Sequence, residues 1–406
     1  MTEAVVVAAT RSPIGRAGKG SLRDMRPDDL AAAVIRAALD QVPQLDPATI
    51  DDLHLGCAEP HHEHGRNMAR RLAVLLGLDA VPGTTVIRAC ASSVQTARMA
   101  FHAIRAGEGD AFISAGVECV SRYRGGWAGV ADPATDNPLF AGAKERGRRL
   151  GETNAYWTDP REDGCLPDSY IAMGQTAENV ANLLRISRRE QDEYAVRSQH
   201  LAQRAIAAGF YDEEITPVTT PDGQVIDKDD CPRAGVTYER VAELLPAFRE
   251  GGSVTAGNSC PLNDGAAATV IMSDTRAREL GITPLARIVA TGVSGLSPEI
   301  MGLGPVEATR RALAHAKMSV RDVDLYEINE AFAVQVIGSG RRLGLDPDRL
   351  NVHGGAIALG HPFGSTGARI MGTLIHGLVS RDKQIGLETM CVGGGQGMAV
   401  ILERMA

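Results

Sequence analysis

Two cysteines in contrasting surroundings are the residues of this chain best placed for chemistry. Cys90 stands where an apolar run gives way to small residues, in 86–93, just ahead of a helical pattern. Because free amides and the positive dipole end of a helix N-terminus favour a thiolate, we expect a nucleophile with a lowered pKa. Cys391 opens a glycine-dense turn, 391–397, where a ligand could approach along bare backbone. A buried, unreactive cysteine is the alternative at Cys90.

Two stretches between these cysteines could supply a base and a hydrogen-bond donor. His361 follows a glycine-rich run, precedes Pro362 and stands before the start of a helix. A histidine there can take the proton of a nearby thiol, although a core histidine bonded to a backbone carbonyl is the competing interpretation; His353 is a weaker candidate. Asn329 begins the run Asn-Glu-Ala-Phe-Ala. Two thiols, an imidazole and a carboxamide together suit carbon–carbon chemistry on thioesters.

The composition is typical of a globular enzyme. A chain of 406 residues exceeds one ordinary core, so two or three domains are expected. Apolar residues make up 44% and charged residues 23%, and the net charge of -8 argues against non-specific nucleic-acid binding. Seven scattered cysteines without a Cys-x-x-Cys pair predict a reducing compartment. Since no secretion signal or membrane-length apolar run is visible, we expect a cytoplasmic protein with no membrane span.

The two halves of the sequence repeat one order of predicted elements. Each half is predicted to contain a strand, a helix, a second strand, a third strand with a following helix, and closing strands. In the first half these elements are predicted at 4–9, 30–39, 52–56, 84–90 and 111–116. In the second half they are predicted at 286–290, 306–317, 324–328, 351–361, 385–390 and 398–402. The spacing from Leu53 to Cys90 equals the spacing from Leu325 to His361 to within one position. This pattern predicts duplicated α/β units with parallel sheets covered on both faces. The alternative is that any α/β chain looks repetitive at this level of detail.

The middle of the chain interrupts this repeat. It is rich in Gly, Pro, Asp and Arg, with one clear helical stretch at 174–208. Long insertions of this kind usually cover or shape an active site. A basic cluster at 144–149 is interpreted as a solvated or subunit-facing surface. We therefore expect a first half of residues 1–120 and 249–272, a loop domain at 121–248 and a second half at 273–406.

Four blocks, in order along the chain, resemble the signature blocks of the thiolases. They are Cys-Ala-Ser-Ser at 90–93, Asn-Glu-Ala-Phe-Ala at 329–333, Gly-Gly-Ala-Ile-Ala-Leu-Gly-His-Pro at 354–362 and Cys-Val-Gly-Gly-Gly-Gln-Gly at 391–397. Residues 255–258 with 263–267, and 173–179, resemble further thiolase segments, so the likeness covers essentially the whole chain. The resemblance implies an α/β fold of five layers, αβαβα, in which two duplicated βαβαβαββ halves carry an inserted loop domain. It also implies a homodimer or homotetramer.

The resemblance implies a role for each matching residue. Cys90 would attack the 3-keto carbon of a 3-oxoacyl-CoA and carry the acyl group as a thioester. His361 would activate Cys90 and, with a water held by Asn329, stabilise an oxyanion, while the amides of Cys90 and Gly393 would form a second oxyanion hole. Cys391 would protonate the departing acetyl-CoA enolate, or deprotonate acetyl-CoA in the reverse direction. CoA is then a substrate, and no cofactor or metal is required.

Departures from the thiolase pattern bear on the substrate. Arg233 matches a CoA-contacting arginine, whereas Cys260, next to Ser259, replaces a serine common near the pantetheine arm. Arg240 falls where biosynthetic members carry a serine, and residues 122–127 replace their Met-x-x-Pro-His loop. These features favour a degradative 3-ketoacyl-CoA thiolase of fatty acid β-oxidation, which accepts longer or bulkier acyl-CoA. Residues 361–367 and 88–91 also resemble the thiolase subunits of multifunctional β-oxidation complexes, so a hydratase/dehydrogenase subunit is a candidate partner. An acetoacetyl-CoA thiolase is the alternative.

Three other interpretations stay open at this level. A decarboxylating ketosynthase also uses one cysteine, with two histidines or with His and Asn, but it has no need of Cys391 as an acid/base. A thiolase homologue that binds lipid without catalysis would not require all four positions to be filled. Residues 60–64, Pro-His-His-Glu-His, superficially resemble a metal cluster. Their spacing is not that of a helical His-Glu-x-x-His and no cysteine pair completes a tetrahedron, so we expect no metal there.

Overall fold

The computed structural model describes residues 2–123 and 135–406. Residues 124–127, part of the segment used above to favour longer acyl chains, lie outside the described residues. The described strands are β1 (Ala4–Arg11), β2 (Gly15–Arg16), β3 (Asp52–Gly56), β4 (Gly83–Val86), β5 (Ala111–Cys119), β6 (Val218–Thr219), β7 (Val225–Ile226), β8 (Asn263–Ser273), β9 (Ala286–Gly295), β10 (Leu325–Ile328), β11 (Ile385–Val392) and β12 (Gln396–Arg404).

The described α-helices alternate with these strands in both halves and also fill part of the insertion. They are α1 (Pro27–Asp40), α2 (Met68–Leu75), α3 (Ser92–Ala106), α4 (Ala141–Thr153), α5 (Met173–Leu184), α6 (Arg188–Ala207), α7 (Tyr238–Ala242), α8 (Asp274–Glu279), α9 (Gly304–Ala316), α10 (Ala333–Leu343), α11 (Ala356–Leu359) and α12 (Thr366–Ser380). No helix in this described part of the chain combines the length and apolar character needed to cross a membrane.

The strands pair in the order β10-β11-β12-β9-β1-β8-β5-β3-β4, with β2 beside β8. The two halves join where β1 pairs with β9, and outward from that seam the order β1-β8-β5-β3 matches the order β9-β12-β11-β10, while β4 has no counterpart strand. The duplication predicted from the sequence is therefore visible in the sheet itself. Strand β3 pairs parallel with both β4 and β5, and β10 pairs parallel with β11.

The expectation of purely parallel sheets is wrong, because β1, β8, β9 and β12 pair antiparallel with their neighbours. A connection as short as the turn between β11 and β12, residues 393–395, can join only antiparallel strands. The strand expected within 351–361 is also absent from the described structure. Asn351, with φ of 47°, instead directs its side chain to the backbone of Ile328, accepting from its N–H (2.8 Å) and donating to its carbonyl (2.9 Å).

Alternation along the strands divides the apolar side chains between layers. In β1, Val5 and Val7 belong to a cluster with α1 and α2, whereas Ala4 and Val6 face α3 and α12. In β10, Leu325 packs toward α12, while Tyr326 belongs to the cluster of α9 and α10. Helices α3 and α12 therefore lie between two sheet layers with the other helices outside, which gives the five layers αβαβα.

The insertion contains more helix than its composition predicted. The single helix expected at 174–208 is two helices, α5 and α6, which are separated at Arg185, where φ is 52°. Ser187 then caps α6 in a reciprocal capping box with Glu190, which stabilises a new helix start by about 1 kcal/mol. The basic cluster lies on the polar helix α4, where Arg148 and Arg149 pair with Glu145. Such i,i+3 and i,i+4 ion pairs stabilise the helix at the surface.

Candidate active site

Cys90 lies in a tight 3-10 turn, Ala89–Ala91, immediately before α3. Ser92 holds this turn closed, since its hydroxyl accepts from the amide of Arg88 (2.9 Å) and donates to the carbonyl of Ala89 (2.7 Å). Next in the chain, Ser93 accepts from the amide of Ala368 on α12 (3.0 Å). The helix start expected at Cys90 is therefore present, and it is fastened to the helix that follows His361.

The expected lowering of the Cys90 pKa is wrong for the protein without substrate. Burial raises the pKa of Cys90 to about 11, although the amides of Gly393 and of Cys90 itself act to lower it. The carboxylates of Glu118 and Glu59 add to the upward shift of this pKa. Desolvation of a thiolate outweighs the helix-start amides here, so the thiol is neutral and requires a base at the moment of attack.

The loop that carries His361 is fixed by its backbone. The amide of His361 donates to Asn263 Oδ1 at 2.9 Å. Gly360, with φ of 112°, lets Asn263 come this close, because a Cβ at position 360 would lie 2.6 Å from Asn263 Cγ. Asn263 also donates to Cys231 Sγ (3.2 Å), and thereby connects the His361 loop to the insertion.

The hydrogen bonds of the buried His361 ring define its tautomer. Nδ1 lies 2.7 Å from Thr366 Oγ1, which in turn donates to the carbonyl of Pro362 (2.8 Å). Nε2 lies 3.1 Å from Asn329 Nδ2, a group that can only donate. Nδ1 therefore carries the hydrogen and Nε2 is the acceptor. Burial lowers the pKa of His361 to about 3, with the charge of Arg369 acting in the same direction, so the ring is neutral at neutral pH.

The segment that carries Asn329 is held from two sides. The amide of Asn329 donates to the carbonyl of Thr389 on β11 (3.0 Å). The adjacent Glu330 is fully buried and accepts four hydrogen bonds, which come from Tyr194, Ser198, Asn351 and the amide of Ile357. Since Ile357 belongs to α11, the same carboxylate that fixes Asn329 also fixes the turn leading to His361. This explains how two distant blocks of sequence keep a 3.1 Å side-chain contact.

The Cys391 side chain lies in the same region as that of Cys90. Burial raises the pKa of Cys391 well above its usual value, and the nearby sulfurs of Cys90 and Cys260 add to that shift. Gly393 lies against the turn of Cys90, since a Cβ on Gly393 would be 3.4 Å from the Cβ of Ala89. The structure therefore brings Cys90, Cys391 and the Gly393 amide together, while Asn329 and His361 contact each other from the segments that follow β10 and α11.

The residues predicted to contact CoA lie in two places. Ser259 and Cys260 run beside the Asn329 segment, where the amide of Cys260 donates to the carbonyl of Ala331 (3.0 Å). Ser259 donates from its hydroxyl to the carbonyl of Thr255 (2.7 Å). Arg233 is exposed on the loop after β7, and its amide donates to Gln199 Oε1 (2.9 Å). CoA contacts at these residues stay a prediction.

Several residues that position the site had no role assigned from the sequence. Asn263 and Thr366 stood inside or beside recognised blocks, and their partners emerge only from the fold. Glu118 is fully buried at the end of β5, where it accepts from the amides of Ala58 (2.7 Å) and Gly364 (2.9 Å). Burial raises the pKa of Glu118 to about 7. Glu118 could have been identified from the sequence, because an acidic residue inside an apolar strand is rarely buried without partners.

Two histidine-bearing segments lie apart from the site contacts. His353 stacks on Phe210 with ring centroids 3.8 Å apart, beside a surface cavity of about 500 Å³. In the cluster at 60–64, His64 Nε2 accepts from the amide of Cys119 (3.0 Å), and His61 packs against Tyr123. Within the two described ranges, no group of three or more His, Cys, Asp or Glu residues could hold a metal ion.

Comparison with known proteins gives matches along the full length. The thiolase N-terminal domain family matches residues 4–275, and the thiolase C-terminal domain family matches residues 282–404. A beta-ketoadipyl-CoA thiolase of Escherichia coli is 44% identical, over 100% of each chain. A 3-ketoacyl-CoA thiolase of Bacillus subtilis (strain 168) is 40% identical, over 99% of this chain and 100% of the relative.

A solved structure agrees with these sequence matches. The crystal structure of the Bacillus anthracis acetyl-CoA acetyltransferase superposes with a TM-score of 0.86 and 39% identity, over 100% of this chain and 99% of that one. The predicted thiolase fold is therefore confirmed. With both family domains matched in order, and with relatives covered from end to end, the chain belongs to the thiolase family of acyltransferases.

Proposed function

We propose that this protein catalyses the thiolytic cleavage of 3-oxoacyl-CoA by CoA, which yields acetyl-CoA and a shortened acyl-CoA as in fatty acid β-oxidation. The observation that carries the proposal is a neutral, buried imidazole whose acceptor nitrogen faces Asn329 at 3.1 Å, in the same region as two thiols. A cleavage reaction needs a nucleophile, a base and a separate acid for the carbanion. Cys90, His361 and Cys391 supply one each.

In the first half-reaction His361 Nε2 takes the proton of Cys90 and the sulfur attacks the 3-keto carbon. The hydrogen bond from His361 Nδ1 to Thr366 supports the imidazolium as it forms. The oxyanion lies toward His361 and a water held by Asn329. Because the side chains of His361 and Asn329 are held in place before substrate arrives, they stabilise the transition state with little reorganisation once His361 has taken the Cys90 proton.

Collapse of the adduct breaks the carbon–carbon bond and leaves the acyl group on Cys90. The departing electron pair forms the acetyl-CoA enolate, whose oxygen the amides of Cys90 and Gly393 stabilise, and the Cys391 thiol protonates its carbon. In the second half-reaction CoA gives its thiol proton to the Cys391 thiolate and attacks the acyl thioester. His361 returns its proton to the released Cys90 sulfur, so protons and electron pairs balance.

The direct test incubates the protein with CoA and three substrates, and follows loss of the 3-oxoacyl-CoA enolate absorbance. The substrates are acetoacetyl-CoA, a long-chain 3-oxoacyl-CoA and 3-oxoadipyl-CoA, the last suggested by the name of the Escherichia coli relative. We expect turnover that favours the longer chain. A strong preference for the four-carbon substrate selects an acetyl-CoA acetyltransferase instead, and no turnover of any substrate refutes the proposal.

Two controls separate catalysis from simple binding. Cys90→Ala should remove acyl transfer while the protein stays folded, and, because His361 can take the Cys90 proton, iodoacetamide should label Cys90 selectively over the buried cysteines of the wild type. If no selective labelling occurs and turnover is absent, a lipid-binding homologue without catalysis becomes the better account.

The assignments beyond the reacting atoms belong to the same proposal. Arg233, Ser259 and Cys260 would contact CoA, which Arg233→Ala tests through a raised KM for CoA at unchanged kcat. A homodimer or homotetramer is tested by light scattering. Co-purification of a hydratase/dehydrogenase subunit, from cytoplasm, tests the proposed partner.

A further inference from the structure

Gln335 is a fully buried polar side chain at the base of the candidate site, and no block of the sequence pointed to it. It lies in the first turn of α10, directly after the segment that carries Asn329. The end of its carboxamide is 3.7 Å from Cys391 Sγ. The apolar residues around Cys391 include Phe332, Val334 and Met301. Among the described residues, Gln335 provides the side-chain hydrogen bond to this sulfur.

The neighbours of Gln335 decide which way its carboxamide points. With the nitrogen toward Asn329, it donates to the carbonyl of Asn329 at 2.8 Å, and its oxygen accepts from the amide of Val336 at 3.0 Å. The opposite orientation would place oxygen against oxygen and nitrogen against nitrogen. The atom that faces Cys391 Sγ is therefore the amide nitrogen, since the same end of the carboxamide makes both contacts.

A carboxamide nitrogen has two hydrogens, and both have a use at this position. One is directed to the Asn329 carbonyl and the other is available to the Cys391 sulfur. An N–H donor favours a thiolate over a thiol, because only the charged sulfur is a strong acceptor. The effect is large where the surroundings are apolar and no water competes.

We propose that Gln335 is a positioning residue that holds Cys391 Sγ at a fixed spacing from the Asn329 segment and stabilises the Cys391 thiolate during proton exchange with acetyl-CoA. This inference rests on the proposed function, because it deepens the acid/base role given to Cys391. Gln335 does not touch the substrate. Its expected effect is confined to the steps in which Cys391 gives up or takes a proton.

Two variants remove the donor while keeping the size of the side chain. Gln335→Met keeps the volume of the side chain. This matters because the packing here is close: a Cβ at Gly302 would lie only 2.7 Å from the Gln335 Cβ. Gln335→Glu keeps the shape but offers the sulfur an acceptor. The matched control is Ser339→Ala, one turn later on α10, which removes a buried hydrogen bond to the Gly302 carbonyl (3.0 Å) and no contact with Cys391.

Two reactions separate the thiols. Exchange of the methyl hydrogens of acetyl-CoA for deuterium needs Cys391, whereas alkylation of Cys90 by iodoacetamide moves no proton through Cys391. We expect both Gln335 variants to slow exchange about tenfold near neutral pH and to shift its pH profile upward by about one unit. Alkylation of Cys90 should stay within about twofold of wild type. Ser339→Ala should leave both rates and the pH profile nearly unchanged.

The outcomes are distinguishable. If the wild type exchanges, but both Gln335 variants match Ser339→Ala in exchange rate and pH profile, the role of Gln335 is wrong and the proposed function stands. If the wild type neither exchanges nor cleaves a 3-oxoacyl-CoA, the proposed function fails and this inference fails with it. Should Gln335→Met not fold, Gln335→Glu carries the test, with a thermal melt reported for each variant.

Discussion

Removing the hydroxyl of Thr366 is the sharpest test of how His361 is held. Thr366→Val keeps the shape of the side chain but deletes the acceptor 2.7 Å from His361 Nδ1. The Nδ1–H then has no partner in a fully buried place. If the proton moves to Nε2 instead, it points at the amide hydrogens of Asn329, 3.1 Å away. Either way the tautomer that can accept a proton from Cys90 becomes less favourable.

The size of the effect follows from the cost of an unpaired buried donor. Leaving one N–H unsatisfied costs about 1–3 kcal/mol. Because about 1.4 kcal/mol corresponds to a tenfold change in rate, acylation of Cys90 should slow by about 5-fold to about 150-fold. The free energy of unfolding should fall by a similar amount, because the Nδ1–H is left unpaired in the native state, whereas the Pro362 carbonyl loses only one of its donors, at 2.8 Å.

The assay is single-turnover acylation of Cys90, with quenched samples analysed by mass spectrometry. Thr366→Ser is the matched control, because it keeps the hydroxyl and loses one methyl group; we expect its acylation rate within about threefold of wild type. A folded Thr366→Val protein that acylates at the wild-type rate would refute the idea that this hydroxyl fixes the reactive tautomer.

Two further predictions follow from the buried titratable groups. Burial raises the pKa of Glu327 to about 8, whereas the unfolded chain titrates near 4.5, so the native state keeps a proton that the unfolded chain has lost between these values. The free energy of unfolding of the wild type should therefore fall as pH rises through this window, while that of Glu327→Gln does not. Urea unfolding at about pH 5 and about pH 9 should show the stability of the variant rising relative to that of the wild type. An equal change in both proteins would contradict this. A thiol oxidant such as diamide should join Cys90 to Cys391, with a loss of two hydrogens by mass spectrometry and loss of turnover, and Cys391→Ser should not lose these two hydrogens. Unchanged activity while other thiols react would rule out this disulfide.

Local sequence was sufficient for much of the fold. Helix and strand positions at 30–39, 52–56 and 111–116 were predicted within a few residues, because each shows its own apolar periodicity. Two failures of secondary structure are explained by the contacts and backbone of single residues. The strand expected near Asn351 is replaced by its side-chain bonds to Ile328, and the helix expected at 174–208 divides at Arg185.

The direction of strand pairing was a different kind of error. Alternating strands and helices predict parallel neighbours, but β8 and β12 close their halves antiparallel. The apolar periodicity of a strand does not specify which other strand it pairs with. That choice belongs to the connections, here a three-residue glycine turn and a long insertion.

The sequence by itself determined which residues can react and where the backbone must bend. Cys90 precedes a helix, Gly360 permits a left-handed turn before His361, and Cys391 opens a glycine turn, all of which are properties of neighbouring residues. The tertiary structure alone decided how reactive they are. Burial overrides the helix-start amides at Cys90 and raises its pKa, because desolvation depends on every layer packed around the sulfur. The tautomer of His361, likewise, is fixed by side chains that meet only when the chain is folded.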